Sequence, residues 1–141
     1  MKNLSKHISM LYRHTQIYYS NHLSNLGIGS GQFMYILCIC EHEGLSQDEL
    51  SHELSMNKST VAKILRQLEK TNFITRMVNK KDKRIFNIYP TEKAKGIYQH
   101  IITVQSSWYE LLLANLSEIE SDAFVKLLEK VTENSILSSK H

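Results

Sequence analysis

The residues best placed to do chemistry in this chain are cations, and they are gathered in one stretch. Between Asn57 and Arg84 stand nine basic side chains (Lys58, Lys63, Arg66, Lys70, Arg76, Lys80, Lys81, Lys83 and Arg84), opposed by Glu69 and Asp82, a balance of +7 over 28 residues. The rest of the 141-residue chain holds eight basic and twelve acidic residues, a balance of −4, so the net +3 conceals a basic stretch on an acidic body. One-signed charge of this kind suits a surface that meets a polyanion. Ammonium and guanidinium groups hold phosphates, while Ser59, Thr60 and Gln67 between them carry the donors and acceptors that match base edges. A solvated helix face is the plain alternative for these residues, and the second basic cluster beside them argues against it.

Other chemistries find less support. The sequence contains no glycine-rich phosphate loop, no nucleophile elbow and no His-Glu-x-x-His pair, and its serines and acids are accounted for by helix caps and faces, so an enzyme is not expected. Cys38 and Cys40 lie two apart in an apolar run, on opposite sides of a helix if the run is helical, and cannot readily bridge each other. No basic residue adjoins them to lower a thiol pKa, so they read as small buried side chains rather than a redox switch. His7, His14 and His22 share one helical face, and Glu41-His42-Glu43 could join His100, but neither spacing is diagnostic of a metal site. No cofactor and no metal are expected. No stretch approaches the roughly 20 apolar residues that span a bilayer, and the N-terminus lacks a signal-peptide pattern, which points to a cytoplasmic protein.

The elements that must position the cations can be traced in order. Leu4, Ile8, Leu11, Tyr12, Tyr18, Leu23 and Leu26 recur at helical spacing and predict a first helix over about Leu4–Leu26. After Gly27, Gly29 and Gly31, a second helix over about Ser30–His42 is apolar on most sides, hence buried. Ser46-Gln-Asp-Glu49 is a capping box that opens a short helix to Leu54. Asn57 caps the next, Lys58 to about Thr71, with Val61, Ile64, Leu65 and Leu68 inward and Ser59, Thr60, Lys63, Arg66, Gln67 and Lys70 outward. Phe73–Val78 and Arg84–Tyr89, rich in β-branched and aromatic residues, predict two strands around a charged tip, Asn79-Lys-Lys-Asp-Lys83, that lacks glycine. Pro90 and Thr91 introduce a long helix over about Glu92–Asn115, and a second capping box, Ser117-Glu-Ile-Glu120, opens a last helix to about Ile136.

Two short helices joined by a tight turn, then a basic hairpin, form a winged helix-turn-helix. The second short helix can enter the major groove, with Asn57 and Lys58 adding phosphate contacts at its start. At the hairpin tip Arg84 suits the minor groove, whose negative potential attracts it, and Lys80, Lys81 and Lys83 suit phosphates. DNA would repel Asp82, so we expect it to orient Arg84 or a neighbouring arginine by a charge-assisted hydrogen bond; an ordinary turn-forming aspartate is the alternative.

Leu45-Ser-Gln-Asp-Glu-Leu-Ser-His-Glu-Leu54, followed by Asn57-Lys-Ser-Thr-Val-Ala-Lys-Ile-Leu-Arg-Gln-Leu-Glu-Lys70, resembles the MarR family. So do Gln32-Phe33, Asp82-Lys-Arg84 in the wing and Thr91-Glu-Lys-Ala94 after it. The chain departs from the family pattern at Pro90, Ala94 and Asn79-Lys80, which bears on the detailed shape of the wing. The resemblance implies a mainly α fold with a small β-hairpin wing and a homodimer held by its N- and C-terminal helices. The chain then divides as 1–28 and 92–141 for dimerisation and 29–91 for DNA binding. A two-fold dimer reads a pseudo-palindrome with half-sites about one DNA turn apart. Repression by promoter occlusion is expected of so small a chain. The resemblance also implies release by a small aromatic or phenolic ligand, for which Tyr12, His14, Tyr18, Tyr19, Phe33, Met34 and Trp108 could line a pocket, unless they are plain core. The rival reading is a winged-helix adaptor for protein partners without specific DNA binding. RNA binding would want stacking aromatics on an exposed sheet, which the sequence lacks.

Overall fold

The computed structural model describes residues 2–139. Its helices and strands run in the order α1 (Leu4–Leu23), α2 (Phe33–Glu41), α3 (Gln47–Leu54), α4 (Lys58–Lys70), β1 (Ile74–Val78), β2 (Phe86–Pro90), α5 (Glu92–Leu112) and α6 (Glu118–Ser138). The fold is thus mainly helical with one antiparallel β-hairpin, a winged helix-turn-helix. Among the described residues no helix is long and apolar enough to cross a membrane.

Local chemistry accounts for most boundaries. In α2, Phe33 and every residue from Tyr35 to Ile39 are buried, so the helix is enclosed on most sides. Both capping boxes form: Ser46 Oγ accepts from Glu49 N at 3.1 Å while Glu49 accepts from Ser46 N, and Ser117 and Glu120 repeat the exchange. Asn57 caps α4 by accepting from the Thr60 amide at 2.8 Å. At the other end of α4, Asn72 turns left-handed (φ 65°), and the amides of Asn72 and Phe73 return to Glu69 O and Leu68 O as a Schellman motif.

Some limits differ from those read in the sequence. α1 stops at Leu23 because Ser24–Leu26 tighten into a 3-10 turn that Gly27 ends at φ 80°. The second strand begins at Phe86 rather than Arg84, because Arg84 and Ile85 belong to the hairpin turn. α5 ends at Leu112, and α6 runs on to Ser138.

The chain forms two compact units that divide between Ser106 and Ser107, within α5. α1 and the first part of α5 belong to the first unit with the winged helix-turn-helix, and Tyr19, Leu23, Ile101 and Val104 contribute to the buried core. Leu23, Ile36, Ile39, Leu50, Val61, Leu65, Leu68, Phe73, Ile74, Ile88 and Ile101 are fully buried. The second unit contains α6, which buries none of its residues.

The hairpin pairs Ile74 with Pro90 through to Val78 with Phe86. Gly44–Ser46 adds a short third edge: Gly44 N donates to Ile88 O at 2.8 Å, Ile88 N donates to Leu45 O at 2.9 Å, and Ser46 bridges Asn87. Gly44 has φ 91°, and a Cβ there would lie 3.1 Å from the Tyr89 hydroxyl. The tyrosine tip can yield, whereas the left-handed backbone cannot. Gly44→Ala is therefore expected to lower the unfolding free energy by about 1–2 kcal/mol. A denaturant midpoint equal to wild type would show that the turn relaxes without cost.

Candidate nucleic-acid interface

The site is built on α4. Val61, Leu65 and Leu68 are buried against the core, which leaves Lys58, Ser59, Lys63, Arg66, Gln67 and Lys70 exposed and Thr60 half-buried. Asn57 also accepts from the Ser59 hydroxyl at 2.8 Å, so its side-chain oxygen is committed to the start of the helix. Lys58 approaches Asp48 at 3.5 Å, but both side chains are about three-quarters exposed. Water and salt screen such a pair, and Lys58 stays free to exchange it for a phosphate.

The wing is fastened to α4 from one flank. Arg76 on β1 donates to both oxygens of Glu69, at 2.9 and 3.3 Å, and its guanidinium lies 5.4 Å from the centre of the Phe86 ring. The hydrogen bond from Arg76 holds the Glu69 carboxyl below its ordinary pKa, against a smaller opposing effect of burial. Lys93 at the start of α5 donates to Thr71 O at 2.8 Å and covers the Phe73 ring at 4.2 Å, closing the C-terminal end of α4.

The tip is shaped by side chains in place of glycine. Asn79 Oδ1 accepts from the amides of Lys81 and Asp82, at 2.8 and 3.0 Å. Its Nδ2 donates to Asn87 Oδ1, and Asn87 Nδ2 donates to Gly44 O. A chain of amides thus runs from the turn before α3 to the tip. Asp82 then accepts from the Arg84 amide and forks onto its guanidinium, Nε to Oδ1 at 3.0 Å and Nη2 to Oδ2 at 2.9 Å. The charge-assisted hydrogen bond expected between Arg84 and Asp82 is therefore present in the geometry. The side-chain and then the backbone hydrogen bond from Arg84 push the Asp82 pKa down, and the same pair pushes the Arg84 pKa up. The Arg84 side chain remains 90% exposed, aimed but uncovered. Lys80, Lys81 and Lys83 are exposed around it. An open cleft of about 210 Å³ separates the tip end of the wing from the start of α3, lined by Ser46, Gln47, Asp48, Arg84, Ile85 and Phe86.

The structure thus carries Asn57, Lys58, Ser59, Thr60, Lys63, Arg66 and Gln67 on α4, and Lys80, Lys81, Asp82, Lys83 and Arg84 on the wing, within one compact unit. Sequence reading missed three groups that hold the arrangement: Arg76 with Glu69, Asn79 with Asn87, and Gln32, which bonds to Gln67.

The aromatic set is divided. Phe33 is buried and stacks on Tyr19 with ring centres 4.0 Å apart, so these two are core. Tyr18 stacks on His22 at 4.0 Å. Tyr12, His14 and Met34 are exposed, and Trp108 lies in the second unit. Burial, with Glu53 and Glu41 nearby, pushes the Cys38 thiol up to about 11. Burial and Glu43 push Cys40 up to about 11 as well, Lys95 opposing and Glu41 adding a little. Neither thiol is a ready nucleophile at neutral pH. Among the described residues no group of three or more His, Cys, Asp or Glu side chains could hold a metal ion.

Known proteins share this architecture. The sequence profile of the MarR family matches residues 28–86. The HTH-type transcriptional regulator YybA of Bacillus subtilis (strain 168) is 25% identical over 134 residues, covering 95% of this chain and 89% of its own length. A MarR transcriptional regulator from Methanosarcina mazei Go1 is 30% identical, superimposes with a TM-score of 0.88, and matches 96% of this chain and 98% of its own. A Listeria monocytogenes protein assigned to the MarR family, solved in complex with 26mer DNA, is 28% identical with a TM-score of 0.92, over 98% of this chain and 92% of its own.

Proposed function

The chain belongs to the MarR family of transcriptional regulators, and we propose that it works by binding double-stranded DNA as a homodimer. In this reading α4 lies in the major groove and the wing tip enters the neighbouring minor groove. The observation that carries it is the pairing of two features on one unit: the exposed cations of α4 and an arginine forked onto Asp82 yet 90% exposed. The Listeria relative solved with DNA supports the same use of the fold. Two copies related by a two-fold axis meet two half-sites of a pseudo-palindrome. Repression by occlusion of a promoter is the mode that needs no further part of this chain. A small aromatic or phenolic ligand is proposed to release the DNA, with Tyr12, His14 and Met34 as exposed side chains on the first unit that could meet it.

One observation favours a second reading. Met77, Val78, Ile85 and Phe86 on the wing are apolar and exposed, as a protein-binding wing would have them. The +7 of Asn57–Arg84 weighs against it, because a protein-only wing gains nothing from charge of one sign.

Fluorescence anisotropy decides between them, using the DNA upstream of the protein's own gene against a scrambled duplex at several salt concentrations. Preferential, salt-sensitive binding is expected. Lys80→Ala should weaken binding to all duplexes alike and reduce the slope of log K against log salt by about one unit per half-site. No binding at low salt overturns the DNA reading and promotes the adaptor. Phenols titrated into the complex should lower its anisotropy, and an unchanged signal removes the ligand from the proposal.

A further inference from the structure

Gln67 sits on the flank of α4 opposite Glu69 and the wing, and its side chain is tied to the turn before α2. The backbone amide of Gly29 donates to Gln32 Oε1 at 3.0 Å, and Gln32 Nε2 donates to Gln67 Oε1 at 3.1 Å. The polarity of this chain is dictated. A backbone N–H can only donate, so Gln32 must turn its oxygen to Gly29 and its amino group to Gln67. Gln67 must then answer with its own oxygen. We propose that Gln32 is a positioning residue for sequence reading: through this relay it presents the exposed Gln67 as a donor, amino group outward. The proposal rests on the DNA-binding reading of α4.

The consequence is a change in what Gln67 can read. A free glutamine pairs with adenine through both of its atoms, accepting from N6 and donating to N7. With the oxygen committed to Gln32, only the donor half remains. Guanine, which offers O6 and N7 as acceptors, becomes the better partner, and the amino group of cytosine is repelled. Lys63 and Arg66, exposed on the same face, are also donors without acceptors. The middle of α4 is then a surface of donors and selects for guanine on the strand it faces.

Gln32→Glu tests the relay by reversing it. A carboxylate still accepts from Gly29, but it offers Gln67 an oxygen in place of an amino group. Gln67 must rotate its amide and turn its oxygen outward. A negative side chain at the start of α2 is compatible with the helix, so the variant should fold. In the free, isotope-labelled protein, the side-chain amide protons of Gln32 should exchange slowly and those of Gln67 fast; in Gln32→Glu those of Gln67 should become slow. On DNA, the decisive base pair is the one at which Gln67→Ala abolishes discrimination. There the wild type should prefer guanine to cytosine on the facing strand by about tenfold. Gln32→Ala should level the preference, and Gln32→Glu should invert it. A merely structural Gln32 would lower affinity for all sequences alike. The proposal is overturned if Gln67 carries the protected amide in the wild type, if Gln67→Ala relaxes no position, or if Gln32→Glu keeps the wild-type preference. Should the exchange pattern appear as expected while the protein binds no duplex, the DNA reading of α4 fails, and base selection by Gln67 falls with it.

Discussion

Arg84→Ala is expected to weaken operator binding by about 2–6 kcal/mol, taking about 1–3 kcal/mol for each lost contact and one contact per half-site. The fold should survive, because the side chain is 90% exposed and supports nothing beneath it. The sharper result concerns its partner. Asp82 is an acidic group beside a polyanion, so simple Coulombic reasoning says that Asp82→Ala should tighten binding. The forked hydrogen bonds at 2.9 and 3.0 Å say the opposite, since they hold the guanidinium of Arg84 in one orientation before DNA arrives. Orientation should win in the wild-type background, because freeing a long side chain costs conformational entropy on every binding event. Asp82→Ala is thus expected to weaken binding by about tenfold. In an Arg84→Ala background nothing is left to orient, and the same substitution should be neutral or tighten binding. This change of sign in a double-mutant cycle separates positioning from charge. The difference between wild type and Asp82→Ala should hold constant from about pH 5 to 8, because the hydrogen bonds from Arg84 hold the Asp82 carboxyl below its ordinary pKa and it stays ionised there. Tighter binding by Asp82→Ala alone would remove the orienting role.

How much of this was legible in the sequence depends on distance along the chain. Caps were legible because their partners are three residues apart: Ser46 with Glu49, Asn57 with Thr60, and Ser117 with Glu120. The stripe of Val61, Leu65 and Leu68 was legible from periodicity alone, and with it the outward face of α4. Asp82 and Arg84 could be paired in advance because they are two apart at a turn. The start of the second strand was misplaced at Arg84 because β-branched and aromatic composition cannot show that Asp82 captures the Arg84 amide and holds it in the turn. The ties that orient the whole site were not legible. Gln32 and Gln67 are 35 residues apart, and Asn87 reaches Gly44 across 43. No periodic signal links such residues, and only the packing of α2, α4 and the wing brings them together. The aromatics fail for a different reason. Tyr19 and Phe33 could be read either as pocket lining or as plain core, because spacing along the chain cannot distinguish a core stack from the wall of a pocket.

The second large effect should come from α6, far in sequence from any cation of the wing. Its residues Phe124, Leu127, Leu128 and Val131 follow one another at helical spacing, and all are 40–59% exposed. On α1, in the other unit, Leu4, Ile8, Leu11 and Tyr12 repeat the pattern, also exposed. A lone chain would leave these stripes in water. Full burial of such a side chain is worth about 1.5–3 kcal/mol; since these four are already about half covered, burying the rest of them is worth about 3–6 kcal/mol per chain. Two chains supply twice that, about 6–12 kcal/mol, which is comparable to an association cost of about 4–15 kcal/mol. Leu128→Glu with Val131→Glu should therefore convert a dimer to a monomer in sedimentation, since a two-fold axis brings each new charge to the interface twice. Glu133→Gln, on the opposite side of the same helix, should leave the mass unchanged. DNA affinity should fall by at least about 10²-fold in the charged variant, because the second half-site loses its tethered partner. The helical circular-dichroism signal of the first unit should persist, which distinguishes dissociation from unfolding. A wild-type protein that sediments as a monomer at micromolar concentration, or a charged variant that stays dimeric, would show that these stripes serve some other contact and that one copy reads DNA alone.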